Sequence, residues 1–141
     1  MIAFIENIYA GKGLYQELLS PLCRKYDLTE SELVILLYLA DPNPADTATK
    51  IIRSQRLKKS VVSISIDDLE KRGLIESYYL NGDHRTKHLR VLEKAAEIIN
   101  DAEKVQDNLY ELMTQGLSEK DKDEFIRISE MVNGNIERYC A

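Results

Sequence analysis

The amino-acid sequence predicts a single, mainly α-helical domain with one small β-hairpin near its middle. The chain has 141 residues, which is the length of one ordinary domain with its own core. Apolar residues recur at steps of three and four along most of the chain, as in amphipathic helices. The segment from Leu74 to Val91 differs, because two runs rich in β-branched and aromatic residues flank an Asn-Gly pair there.

The charge of the chain is unevenly distributed. The net charge is −5, which taken alone disfavours binding to nucleic acid. Residues 50 to 90, however, contain ten basic and five acidic side chains, so the rest of the chain carries a net −10. A basic segment within an acidic protein is typical of a small polyanion-binding module.

The first ten residues and the lengths of the apolar runs indicate where in the cell the protein is expected. Residues 1–10 contain no Lys or Arg, so they lack the basic start of a secretory signal. The longest apolar run, Leu33 to Ala40, has eight residues, whereas a membrane-spanning helix needs about 20. We therefore expect a cytoplasmic protein without membrane association. Cys23 and Cys140 have no metal-type spacing, and we expect both to be reduced.

Two helices are predicted in the first 40 residues. The first covers residues 2–26, with a kink allowed near Gly11 and Gly13. Thr29 and Glu32 then form a capping-box pattern, so a second helix starts at Glu30. This helix contains the apolar run and must be buried on all sides. It should stop within Asp41-Pro42-Asn43-Pro44, since proline cannot continue a helix.

Two shorter helices and the hairpin follow. A third helix is predicted from Ala45 to Gln55, capped by Asp46 or Thr47, and a fourth from Lys59 to Arg72, ended by Gly73. The strands are predicted at Leu74 to Leu80 and Lys87 to Val91. Two helices joined by a short turn and followed by a hairpin form a winged helix-turn-helix, a DNA-binding architecture. A long helix from about Leu92 and a last one opened by Ser118 with Asp121 complete the chain.

Several short motifs, in this order, resemble the MarR family, named for regulators of multiple antibiotic resistance. They are Leu28-Thr29, Lys59-Ser60, the stretch from Leu69 to Ile75, Asp83-His84-Arg85 and Glu93-Lys94. The stretch that ends the fourth helix is shared by many winged-helix groups, but its combination with the Asp-x-Arg wing is more specific. The resemblance covers nearly the whole chain.

The resemblance implies one MarR-like domain, residues 1–141, with separate regions for dimerisation and for DNA binding. Residues 1–40 and 93–141 would form N- and C-terminal dimerisation helices, and residues 44–92 would form the DNA-binding lobe. In the family, a wing arginine enters the minor groove and a nearby aspartate steadies the wing, roles that match Arg85 and Asp83. The residues expected at the DNA are Lys58, Lys59, Ser60, Val61, Ser63, Asp83, Arg85 and Lys87. Three positions depart from the family pattern: Ile64 for a base-reading arginine, Arg56 for a turn glycine, and Leu92 for a capping threonine.

The expected function is that of a sequence-specific transcriptional regulator, a homodimeric repressor that binds pseudo-palindromic double-stranded DNA. A small-molecule effector could occupy the pocket that relatives keep between the dimer helices and the lobe, with Tyr9, Tyr15, Tyr26 and Tyr38 as candidate lining residues. These tyrosines could equally be packing residues.

Other classes of function are less well supported by the sequence. We find no nucleophile constellation or phosphate loop, so we expect no enzymatic activity and no cofactor. His84 and His88 could suggest a metal, but there is no obvious third ligand, and we expect no metal site. Cys23 could be a peroxide sensor, although it lies farther along the first helix than in such relatives. The main alternative is a winged-helix protein-interaction module without DNA readout, which Ile64 encourages, as do Asp67 and Asp68 near the expected DNA surface.

Overall fold

The structure, a computed structural model, describes residues 1–42 and 46–140. Within them, the structure has six α-helices and one two-stranded antiparallel sheet, and a 3₁₀ turn, Glu93–Ala95, precedes the fifth helix. The elements are α1 (Ile2–Tyr26), α2 (Glu30–Ala40), α3 (Ala48–Gln55), α4 (Lys59–Lys71), β1 (Ile75–Tyr78), β2 (His88–Val91), α5 (Ala96–Met113) and α6 (Glu119–Cys140). The predicted fold class, mainly α with a winged helix-turn-helix, is confirmed.

The local signals for helix ends are confirmed at three places. The Thr29 hydroxyl accepts a hydrogen bond from the Glu32 backbone N–H at 3.1 Å, and the Glu32 carboxylate accepts one from the Thr29 N–H at 3.0 Å. Ser118 and Asp121 make the same reciprocal pair at the start of α6. Gly73, after α4, has a φ of +69°, which glycine adopts without the steric penalty of a Cβ.

Several predicted boundaries were too wide. β1 runs from Ile75 to Tyr78 rather than from Leu74 to Leu80, and β2 begins at His88 rather than Lys87. α4 ends at Lys71, one residue early. α3 begins at Ala48, with Thr47 as its N-cap residue. Residues 43–45, where the sequence placed the proline stop of α2, the start of the third helix and the start of the lobe, lie outside the described residues.

The centre of the core is α2, which contacts α1, α3, α4, α5 and β2. Its residues Leu33, Ile35, Leu36 and Leu39 are all buried, as the continuous apolar run requires. The facing side chains from the other elements include Leu19, Ile51, Val62, Leu69, Ile75, Leu89 and Ile98. The helix-turn-helix is therefore held against the long helices α1 and α5 by one shared core.

Arg72 ties the end of α4 to the end of α1. Its guanidinium donates to the backbone carbonyls of Tyr26 at 2.7 Å and Asp27 at 2.6 Å. Carbonyls at a helix C-terminus have no partner within the helix and carry partial negative charge, so a cation is favourable there. Lys94, just before α5, donates in turn to the Arg72 carbonyl at 2.8 Å. The end of α4 is thus connected by hydrogen bonds to the end of α1 and to the turn that precedes α5.

The terminal helices expose much apolar surface. None of the described residues of α6 is buried. The large hydrophobic side chains exposed on α1 and α6 are Ile2, Phe4, Ile5, Ile8, Tyr9, Phe125, Ile126, Ile128, Met131, Val132, Ile136 and Tyr139. In residues 1–42 and 46–140, no helix has both the length and the apolar content needed to cross a membrane.

Candidate nucleic-acid interface

The turn between α3 and α4 is built around Arg56. This residue has a φ of +52° and a ψ of +38°, the left-handed conformation that a glycine adopts most easily. The next residue, Leu57, packs against the core. The chain therefore makes the tight turn of a helix-turn-helix even though the residue at its centre has a side chain.

The recognition helix α4 has one buried and one exposed face. Val62, Ile66 and Leu69 are buried. The exposed residues at its start, in the order of the chain, are Lys58, Lys59, Ser60, Ser63 and Ile64, and Val61 is half-buried. Lys58 is the N-cap residue but makes no side-chain capping bond, so the positive end of the helix and two lysines lie together at the surface.

The wing tip is ordered by Asp83. Its carboxylate accepts hydrogen bonds from the backbone N–H groups of Arg85 at 2.8 Å and Thr86 at 3.4 Å. The bond from Arg85 is the main reason that the pKa of Asp83 lies below its ordinary value. Gly82, with a φ of +80°, makes the turn itself. Arg85 is exposed, and in the described part of the chain its side chain has no hydrogen-bond or ion-pair partner.

A cluster that we call the wing joint fixes the wing to the residues before α3. It consists of Asp46, Tyr78 and His88. The Asp46 carboxylate lies 2.5 Å from the Tyr78 hydroxyl and 2.7 Å from Nδ1 of His88, both of which donate to it. The Tyr78 and His88 rings stack with centroids 5.4 Å apart. The Leu89 N–H also donates to the Asp46 carbonyl at 2.9 Å, and Thr47 forms a β-bridge with His88.

The electrostatics of the wing joint follow from these contacts. Burial alone would raise the pKa of Asp46, but the hydrogen bonds from Tyr78 and His88 outweigh it and lower the pKa below its ordinary value. The same bond to Asp46 raises the pKa of Tyr78. Sequence reasoning missed this cluster, because Asp46 was considered only as a helix cap and His88 only as a metal ligand. Among the described residues, no group of three His, Cys, Asp or Glu side chains could hold a metal.

A groove of about 230 Å³ between α3, α4 and the wing brings predicted DNA-contact residues together. Lys59 and Ser63 of α4 line it with Lys87 from the wing. Lys87 is not free, because its Nζ lies 3.4 Å from both carboxylate oxygens of Glu70. The structure thus places Lys59 from α4 and Lys87 from the wing around one depression, which Asp67 also lines, and Glu70 holds Lys87.

The four candidate tyrosines lie in different environments. Tyr15 and Tyr38 line one cavity of about 370 Å³, together with Val34, Leu37, Asp41, Gln55 and Gln106. The Tyr15 hydroxyl accepts a hydrogen bond from Gln106 at 3.2 Å, and burial raises its pKa. Tyr26 instead donates to Asp101 at 2.6 Å, and Tyr9 is 72% exposed on α1. The cavity lies between the long helices and the helix-turn-helix, and only two of the four tyrosines line it.

Comparison with known proteins supports the resemblance noted in the sequence. Residues 26–85 match the profile of the MarR family. Among solved structures, the transcriptional regulator SlyA has a TM-score of 0.82 at 16% identity, with 97% of this chain and 96% of that chain covered. A MarR-family regulator from Listeria monocytogenes, crystallised with 26-mer DNA, has a TM-score of 0.82 at 16% identity and coverages of 99% and 91%. A MarR-family regulator from Silicibacter pomeroyi has a TM-score of 0.81 at 16% identity and coverages of 96% and 90%.

At these identities the solved structures establish the fold, and the profile match lies on the segment that contains the helix-turn-helix and the tip of the wing. The chain therefore has the fold of the MarR-family winged helix-turn-helix regulators, and residues 26–85 match the profile of that family.

Proposed function

We propose that the chain is a homodimeric regulator that binds a pseudo-palindromic DNA operator, with α4 in the major groove and the wing on the adjacent backbone and minor groove. The observation that carries the proposal is the groove where Lys59, Ser63 and Lys87 meet, beside the uncapped N-terminus of α4. Helix N-termini and lysines are both suited to phosphate. The Listeria relative, crystallised with DNA, supports the same use of this fold.

The proposed lobe is the segment 44–92, and residues 1–40 and 93–141 form the dimerisation region. The apolar side chains exposed on α1 and α6 support this division, because a monomer rarely leaves so large an apolar surface in water. A symmetric dimer would present two copies of α4 to successive major grooves, about 34 Å apart. Sedimentation at micromolar concentration should give the mass of two chains, and a well-folded monomer would refute the two-lobe arrangement.

The proposed regulation is repression relieved by a small molecule. The cavity lined by Tyr15 and Tyr38 lies between the long helices and the lobe, so a ligand there would change the spacing of the two lobes. A change of a few ångströms prevents simultaneous contact with two half-sites. The bound regulator would prevent other proteins from binding the same DNA site, so we expect it to act as a repressor. This role places the protein in the cytoplasm, with the DNA.

The test uses DNA fragments selected from a random pool by the full-length protein. Counterion release predicts that binding weakens steeply with salt, and that Lys59→Ala lowers the magnitude of the log–log salt slope by about one unit per half-site. Lys120→Ala, at an exposed position on α6, is the control with the same change in charge. Arg85→Ala should lose most affinity on sites with A/T-rich flanks, where the minor groove is narrow.

A second candidate is a protein-interaction module, which Ile64 favours because it is 62% exposed on α4. An apolar partner interface depends little on salt. If no fragment is selected from the random pool, or if neither Lys59→Ala nor Arg85→Ala changes affinity, the interaction module replaces the DNA-binding proposal.

A further inference from the structure

The exposed face of α4 has an unusual composition for a surface that reads bases. Its side chains after the first turn are Ser63, Ile64, Asp67 and Lys71. Ile64 is the large hydrophobic residue that α4 exposes, at 62% of its surface. The other large hydrophobic residues exposed in the described part of the lobe, Tyr79 and Leu80, lie on the wing. The core therefore does not account for an isoleucine at this position.

The residues that α4 lacks are equally informative. The helix, Lys59–Lys71, contains no Arg, Asn or Gln. Arginine and lysine pair with the acceptors of guanine, and Asn or Gln with adenine. Both lysines at the ends of α4 are exposed, and Lys59 lies at the first turn, where phosphate is the expected contact. Direct readout by the middle of α4 is then left to serine, to Asp67 and to the apolar side chain of Ile64.

The apolar feature of the major groove is the C5-methyl group of thymine. Ser60, Ile64 and Asp67 follow one another at steps of four and three, so they lie on one face of the helix. Ser60 on this face and Ser63 beside it are small and exposed, which would allow the backbone to approach the base edges. Ile64 has a larger side chain than these serines and is 62% exposed, so in a major groove it would be the apolar group that α4 presents to the bases.

We propose that Ile64 is the specificity-determining residue of α4 and that it selects thymine by contact with the C5-methyl group. The inference rests on the proposed function, because it requires α4 to lie in the major groove. It specifies what that helix reads. Each half-site of the operator then contains at least one thymine at which the methyl group, rather than a hydrogen-bonding edge, determines affinity.

The experiment replaces thymine by deoxyuridine in the selected operator, one position per half-site at a time. This change removes the methyl group and leaves the base pair intact. A buried methyl group contributes about fourfold in affinity, so the symmetric double replacement, which removes two methyl groups, should weaken binding of the unaltered protein roughly fifteenfold. Ile64→Ala should bind the thymine operator about as weakly, and should no longer distinguish deoxyuridine from thymine there.

Two matched variants complete the design. Leu80→Ala truncates another exposed apolar side chain and should keep the full sensitivity to deoxyuridine. Ile64→Val should keep part of the sensitivity to deoxyuridine, because valine retains most of the apolar side chain. Because Ile64 is exposed, Ile64→Ala should fold with an unchanged circular dichroism spectrum and unfolding midpoint.

The outcomes are distinguishable. If the protein binds its operator but tolerates deoxyuridine at every position, or if Ile64→Ala keeps the discrimination, the inference is wrong and the proposed function stands. If the protein binds no DNA at all, both the inference and the proposed function are wrong.

Discussion

Replacing Asp46 by Asn tests the wing joint. The Asp46 and His88 side chains are only 16% and 15% exposed, so solvent screens their contact weakly. The carboxylate accepts two hydrogen bonds, from the Tyr78 hydroxyl and His88 Nδ1. A bond to a charged group contributes about 1.5–3 kcal/mol net, and a neutral one about 1 kcal/mol. Asn keeps one acceptor oxygen and turns an NH₂ group towards the other donor, so we expect a loss of about 2 kcal/mol.

The assay is urea unfolding at pH 7 and a fixed protein concentration. With a slope of about 2 kcal/mol per molar urea, the midpoint of Asp46→Asn should fall by roughly 1 M. Asp107→Asn makes the same chemical change at an exposed position on α5 and should leave the midpoint unchanged. A midpoint for Asp46→Asn equal to that of the unaltered protein would show that the wing joint does not stabilise the fold.

The pH dependence has a defined sign. The pKa of Asp46 in the folded chain is lowered, so the charged carboxylate stabilises the fold at pH values above the ordinary carboxyl pKa. This stabilisation is lost as the pH falls through the lowered pKa. The gap in stability between the unaltered protein and Asp46→Asn should therefore narrow below about pH 4, the usual range of aspartate. A gap that widens as pH falls would contradict the assignment of the charged form to the native state.

Three further substitutions test other parts of the lobe. Gly73→Ala should destabilise the protein by about 1–2 kcal/mol in urea unfolding, because the φ of +69° strains any residue with a Cβ; no loss would mean that the turn rearranges. Arg56→Gly should instead raise the unfolding free energy by up to about 1 kcal/mol, since Arg56 occupies the left-handed region, and a lower stability would show that its side chain matters more than its backbone. Glu70→Gln should increase affinity for the selected operator about two- to fivefold, because it releases Lys87 and removes a negative charge from the proposed DNA surface. If affinity in a salt titration is unchanged, Lys87 does not reach the DNA.

The sequence alone predicted the elements whose causes are local. The capping box of Thr29 and Glu32 involves residues three apart, and Gly73 directly follows the helix that it ends. The Asn-Gly turn and the bond of Asp83 to Arg85 span only a few residues. Periodicity likewise identified the amphipathic helices and the buried α2. From these signals the fold class and the hairpin wing were predicted correctly, and the resemblance to the MarR family agrees with the profile match of residues 26–85.

Only the tertiary structure showed which distant residues meet. Asp46 lies 32 and 42 residues from its partners in the wing joint, and Lys87 lies 17 residues from Glu70. No local pattern records such pairs, because they depend on how the hairpin folds back over α3 and α4. The tyrosines show the same limit: helical spacing could not tell that Tyr15 and Tyr38 share a cavity. A side chain's periodicity shows which face of its helix it occupies, whereas its partner depends on how separate elements pack around a common core.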